Sequence, residues 1–163
     1  MQSWELIARE SIRDLVARYN ASGDAGRFEE TLALFTEDAL VEIVSGQSYR
    51  GRDEIRSLFT GASAASAPAG LGESDTKRYF LRHFTATHQI DILDTARAAG
   101  RCYYAVLTDA GLDHWGRYVD RYARCGERWL FAARTISMDA AVPGGWGERA
   151  SERLASTGAR PGR

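Results

Sequence analysis

Patterns for metal and redox chemistry are missing from this chain. It has two cysteines, Cys102 and Cys125, and neither sits in a Cys-x-x-Cys pair or a Cys/His ligand pattern. Its three histidines, His83, His88 and His114, have no metal-ligand spacing. There is no His-Glu-x-x-His segment, no nucleophile elbow and no dinucleotide fingerprint. The run Gly144-Gly-Trp-Gly147 is a loop without the strand–helix context that phosphate binding needs. No cofactor and no metal are therefore expected. Apolar runs approaching 18 residues are absent, and the opening segment from Met1 to Asp14 carries charges along its length. A soluble cytoplasmic protein without a membrane partner is the expectation. The net charge is −1 with no basic face, which argues against nucleic acid as the main partner. Lysine is nearly missing: Lys77 stands against twenty arginines, a bias that reflects composition rather than function.

What is present fits one domain with a sizeable core, because 44% of the 163 residues are hydrophobic. Ser3 to Ala21 reads as an amphipathic helix with Ile12, Leu15, Val16 and Tyr19 on one stripe. Leu6 and Ile7 extend that stripe, and Ser3 is the expected N-cap. Asn20 to Asp24 is a break. A second helix is expected over Ala25 to Phe35, a short strand over Asp38 to Val44, and a turn at Gly46 to Ser48. A third helix is expected over Arg52 to Phe59. Thr60 to Asp75 is rich in Ala, Ser and Gly and reads as a long loop, either a lid or an insertion without a role. From Arg78 onward the chain turns β-rich, with strands expected over Arg82–Leu93, Arg101–Thr108, His114–Arg124 and Arg128–Met138. Their short connections imply an antiparallel meander. Residues 144–163 form a Gly-rich, then charged tail behind a domain of residues 1–143. Helices first and strands after define an α+β fold, and a curved sheet wrapped on helices would enclose a cone suited to a small molecule.

Four scattered residues carry the chemical interest. Tyr19 lies on the apolar stripe, so it points inward, either as core packing or as a pocket hydroxyl. Asp24 stands before the second helix, where aspartate is a favoured N-cap; a cap occupies one oxygen and leaves the other. His83 opens a long strand in which alternation groups it with Thr85, Thr87 and Gln89, and sets His88 with Phe84, Ile90 and Ile92. Alternation does not choose between the two histidines, and a bulge would exchange them. His114, beside Trp115, reads as a rim or surface residue. Arg134 falls in an apolar row with Leu130, Ile136 and Met138, so it needs a carboxylate partner or a ligand. Both cysteines read as small buried or half-buried filler.

Several segments together resemble the SnoaL-like branch of the NTF2-like superfamily. These are Ile12-Arg-Asp-Leu-Val-Ala-Arg-Tyr19 followed by Asp24, Leu34-Phe-Thr-Glu-Asp-Ala-Leu40 with Val41-Glu42, and Tyr49-Arg-Gly51 before Ile55. Arg82-His83-Phe84 with Ile90, and Tyr118 with Trp129, complete the match. Within that superfamily the chain looks most like the group of scytalone dehydratase, bile-acid 7α-dehydratase and the hexachlorocyclohexane dehydrochlorinase. The resemblance implies a cone-shaped α+β barrel whose N-terminal helices pack in a curved, mostly antiparallel sheet. It places His83 at the catalytic histidine, Asp24 at its dyad carboxylate, Tyr19 at a site tyrosine and Arg134 at a pocket arginine. Thr87 stands where the family strand commonly has asparagine. The implied activity is a cofactor-independent lyase, a dehydratase or related β-elimination enzyme, acting on a small, mostly apolar cyclic substrate. The alternatives are an isomerase or polyketide-type cyclase, or a non-catalytic module like the β-subunit of a ring-hydroxylating oxygenase. A homo-oligomer, trimer or dimer, is also implied.

Overall fold

The computed structural model describes residues 2–44, 46–66 and 81–158. Helix α1 spans Ser3–Asp24 and turns Ala8, Ile12, Leu15, Val16 and Tyr19 inward. This spacing keeps one stripe on a helix of 3.6 residues per turn. Each large aliphatic side chain so buried contributes roughly 1.5–3 kcal/mol. Leu6 and Ile7 do not extend the stripe: they are 52% and 67% exposed, and Ala8 takes the inward position. The N-cap is Gln2, not Ser3; its backbone N–H donates to the Glu5 carboxylate at 2.8 Å. The helix runs through the expected break, and the short α2 (Phe28–Leu32) follows. Ser22 Oγ and Thr31 Oγ1, 2.8 Å apart, tie the end of α1 to α2.

Strand β1 spans Phe35–Ile43 and β2 Gln47–Arg50, so Phe35 opens a strand instead of closing a helix. Helix α3 spans Gly51–Ser66. The expected loop from Thr60 is thus helical as far as Ser66, and the remainder of that candidate lid lies outside the described residues. Strands β3 (Arg82–Ile92), β4 (Arg97–Thr108), β5 (Gly111–Cys125) and β6 (Arg128–Ala141) form the expected meander. Helix α4 spans Trp146–Gly158, within the predicted tail. One six-stranded sheet has the order β2-β1-β6-β5-β4-β3, antiparallel except where β1 runs parallel to β6. The α+β fold is therefore a curled sheet holding helices against its inner face.

Alternation along β4 and β5 shows which face is inside. Ala98, Cys102, Tyr104 and Val106 are buried on β4, as are His114, Tyr118, Asp120 and Tyr122 on β5. Tyr103 and Val119 point outward, 57% and 54% exposed. Cys102 is buried as expected, and its thiol is pushed up to about 11 by that burial. Cys125, at the end of β5, is exposed and fills nothing.

Strand β3 carries an irregularity between Ala86 and Gln89. Thr87 sits there with φ 54°, a left-handed conformation unusual for a β-branched residue. The extra residue reverses the alternation. His83 and Thr85 face inward before it, and His88, Ile90 and Ile92 after it. Both histidines therefore reach the inner face, which simple alternation could not allow.

Candidate active site

The last residue of α1 meets the first turn of β3. Asp24 does not cap α2, whose N-cap is Arg27 without a side-chain hydrogen bond. It ends α1, where the negative end of the helix dipole disfavours a carboxylate by roughly 0.3–1 kcal/mol. Two hydrogen bonds offset that cost. Asp24 Oδ2 accepts from the His83 backbone N–H at 2.9 Å, and Oδ1 lies 2.6 Å from His83 Nδ1. The backbone bond sets the position of His83 and the side-chain bond sets its ring. With Asp24 ionised, Nδ1 carries the proton and donates, which leaves Nε2 as a lone-pair acceptor. The Asp24 side chain is 8% exposed and that of His83 23%.

Arg134 is completely buried and answers its carboxylate requirement with Asp120. The two residues are directly paired across β5 and β6. Arg134 Nε and Nη2 each donate at 2.8 Å to separate oxygens of Asp120. Asp120 also accepts from the Tyr122 hydroxyl at 2.9 Å, which in turn lies 3.3 Å from His88 Nε2. The guanidinium carbon sits 4.2, 4.1 and 4.3 Å from the ring centroids of Tyr19, Tyr118 and Phe131. Burial alone would pull the Arg134 pKa down. The Asp120 charge and hydrogen bonds more than offset this and hold it well above the usual value. Among the described residues Nη1 of Arg134 has no hydrogen-bond partner.

Tyr19 is buried in the core against Phe35, Phe131 and Tyr118, with ring centroids 5.9, 5.5 and 6.3 Å away. Burial raises its pKa, and the neighbouring Arg134 partly counters that. The four predicted residues thus form two groups, Asp24 with His83 and Tyr19 with Arg134. Tyrosines connect them: Tyr104 lies 6.3 Å from His83 and stacks on Tyr118 at 4.5 Å, and Tyr118 lies on Arg134.

A second Asp–His pair completes the site. His114 is not at the rim: it is 5% exposed, and its ring is 6.5 Å from that of His83. Its Nδ1 lies 2.8 Å from Asp113 Oδ1. Burial lowers the His114 pKa, and the Asp113 interaction only partly restores it. Asp120, Asp113 and Asn20 were also not anticipated. Asn20 is 7% exposed, reaches Thr85 Oγ1 at 3.5 Å, and has an Oδ1 without a partner among the described residues. The adjacent pair Asp113-His114 was a visible signal in the sequence, but its inward position depends on the register of β5.

Two surface hollows, of about 680 and 400 Å³, lie elsewhere. One is lined by α1, α2 and the β5–β6 turn, the other by the outer sheet face around Phe84 and Tyr103.

The curled six-stranded sheet with helices packed on it defines a class, the cone-shaped α+β barrels of the cystatin-like or NTF2-like type. The SnoaL-like domain model matches residues 4–135, and the chain belongs to that family. No curated protein matches the chain in sequence. A candidate scytalone dehydratase from Novosphingobium aromaticivorans superposes with a TM-score of 0.71 at 20% identity, covering 86% of this chain and 89% of that one. LinA does so with a TM-score of 0.70 at 15% identity, covering 86% and 93%. The β-subunit of a candidate aromatic-ring-hydroxylating dioxygenase from N. aromaticivorans gives 0.64 at 19% identity, covering 83% and 92%. At these identities the likeness is one of fold.

Proposed function

We propose that this protein is a cofactor-independent lyase that eliminates water, or a comparable leaving group, from a small and mostly apolar cyclic compound. The observation that carries this reading is the doubly hydrogen-bonded Asp24–His83 pair, with its 2.6 Å side-chain contact at the end of α1. His83 Nε2 is the base that removes a proton from a carbon acidified by a neighbouring carbonyl or unsaturation. Asp24 holds the tautomer and stabilises the imidazolium that forms. The electron pair left on carbon forms the new double bond as the carbon–oxygen bond breaks. The proton taken up by His83 Nε2 passes to the departing hydroxyl, which leaves as water, while His114, whose Nε2 also stays unprotonated, is a second accepting group that holds the substrate. Tyr19 and the unpaired nitrogen of Arg134 supply donors and positive potential for the developing anion. A positioned base contributes roughly 10²–10⁴-fold, and one anion-stabilising donor about 10²–10³-fold. The aromatic inner face around Tyr104 and Tyr118 suits an apolar ring.

The close dyad weighs against a non-catalytic oxygenase-β-like module, which has no use for an intact Asp–His pair. An isomerase remains the second reading, since the same base could return its proton to another carbon. Turnover of a panel of cyclic β-hydroxy ketones in deuterated solvent separates them: elimination loses the mass of water, whereas isomerisation incorporates label without mass loss. His83→Ala and Asp24→Ala are expected to lower turnover at least 10²-fold with an unchanged circular dichroism spectrum. Full activity in either variant sinks the reading.

The outer sheet face exposes Phe84, Tyr103, Trp115 and Val119. We assign this apolar face to a second copy of the chain. Light scattering is expected to give a dimer or trimer and Val119→Arg a smaller species; a monomeric parent refutes the assignment.

A further inference from the structure

The Gly144-Gly-Trp-Gly147 run has a use that its lack of a phosphate-binding context concealed. It brings the first turn of α4 onto Asp113 and His114. Asp113 Oδ2 accepts from the Trp146 N–H at 2.7 Å, and Oδ1 accepts from the Gly147 N–H at 2.7 Å. A Cβ on Gly145 would lie 2.8 Å from Asp113 Oδ2. One on Gly147 would lie 2.6 Å from the Cβ and Cγ of His114. Both glycines are therefore where a side chain would push the helix off the carboxylate and the imidazole. The Trp146 ring covers His114 at 5.2 Å.

Asp113 Oδ1 is shared. The oxygen that accepts from Gly147 is also the one 2.8 Å from His114 Nδ1. With Asp113 ionised, that ring nitrogen must donate, so Nδ1 carries the proton and Nε2 does not. Burial alone would raise the Asp113 pKa. Hydrogen bonds from Gly147, His114 and Trp146 more than offset this and hold the carboxyl below its usual value, so it stays ionised near neutrality.

We propose that Asp113 is a positioning residue for this site: one carboxylate anchors the first turn of α4 and, through a shared oxygen, fixes His114 as its Nδ1–H tautomer. The nitrogen left as an acceptor is Nε2, the same one that Asp24 leaves on His83. Two imidazoles 6.5 Å apart are thus prepared in the same tautomer by two separate carboxylates. Helix α4 becomes part of the site through Asp113. This inference rests on the lyase reading for the role of His114, while the tautomer itself can be read without any substrate.

The experiment is ring ¹⁵N spectroscopy of the full chain at neutral pH, with resonances assigned by His83→Gln, His88→Gln and His114→Gln. In the parent, the His114 proton is expected on Nδ1. Asp113→Asn cannot satisfy all three donors: in one orientation its amide faces the Trp146 N–H, in the other it faces the Gly147 N–H and His114. The variant is expected to shift the His114 proton toward Nε2, to speed amide exchange at Trp146 and Gly147, and to lower kcat about 10- to 100-fold with KM within about twofold. An Nε2–H tautomer in the parent overturns the proposal even if the variant does not fold. Faster exchange in α4 with unchanged tautomer and kcat also overturns it, leaving Asp113 as a helix cap. The expected tautomer in a chain that turns over no substrate defeats the lyase reading and leaves the positioning geometry standing.

Discussion

Arg134 carries a full charge into a volume without solvent, and the surrounding residues are arranged around that charge. Asp120 meets it with two 2.8 Å bonds, and the Tyr19, Tyr118 and Phe131 rings present their faces to it. Removing one member of such a pair costs more than the pair contributes, because the survivor stays buried and uncompensated. Asp120→Ala is expected to lower unfolding stability by about 3–5 kcal/mol in urea titrations. A loss under 1 kcal/mol would show that Arg134 finds another partner. The need for a partner could be read from the apolar row around Arg134. The identity of that partner could not, because Asp120 lies 14 residues away and the two meet only through strand register.

At the scale of elements, β3 shows how one residue changes the reading of a strand. Strict alternation puts His83 and His88 on opposite faces. The irregularity at Thr87 returns both to the inside. The conformation that achieves this, φ 54°, disfavours a β-branched side chain and suits asparagine, which tolerates the left-handed region. The resemblance noted asparagine at this position in the family, and the backbone supplies a physical reason for it. Thr87→Asn is expected to raise stability by about 0.5–1 kcal/mol and Thr87→Val to lower it, by thermal denaturation. Equal melting temperatures for all three chains would mean that the backbone relaxes out of this conformation. The end of α1 is a similar case. A single sequence could not distinguish an aspartate that starts one helix from one that ends another, because the break at Asn20 is helical in the folded chain.

For the whole molecule, burial of histidine makes stability depend on pH. His88 and His114 both have pKa values lowered from the ordinary 6.5, in each case chiefly by burial. The unfolded chain therefore binds protons that the native chain refuses as pH falls through that value, so stability rises with pH across the window below it. Asp113 adds to this at lower pH: its depressed pKa contributes stability above the unfolded carboxylate value, lost as pH falls through the folded one. The urea midpoint is expected to be level above about pH 7 and to decline from about pH 6.5 downward. His114→Gln should soften the upper part of that decline, and a parent midpoint unchanged between pH 7.5 and 5.5 contradicts the prediction.

The sequence by itself determined the order of elements, the inward stripe of α1 from Ile12 to Tyr19, the meander and the burial of Arg134. These follow from local periodicity and from the cost of burying charge, both of which a chain carries residue by residue. The family resemblance pointed to Asp24 and His83, and their hydrogen bonds make them a pair. Tertiary structure alone decided the rest: that Asp24 closes α1 beside β3, that a bulge turns two histidines inward, that Asp120 meets Arg134, and that Asp113 holds both α4 and His114. Each depends on the register of strands distant in sequence, and register is settled by which faces pack together, not by any one segment.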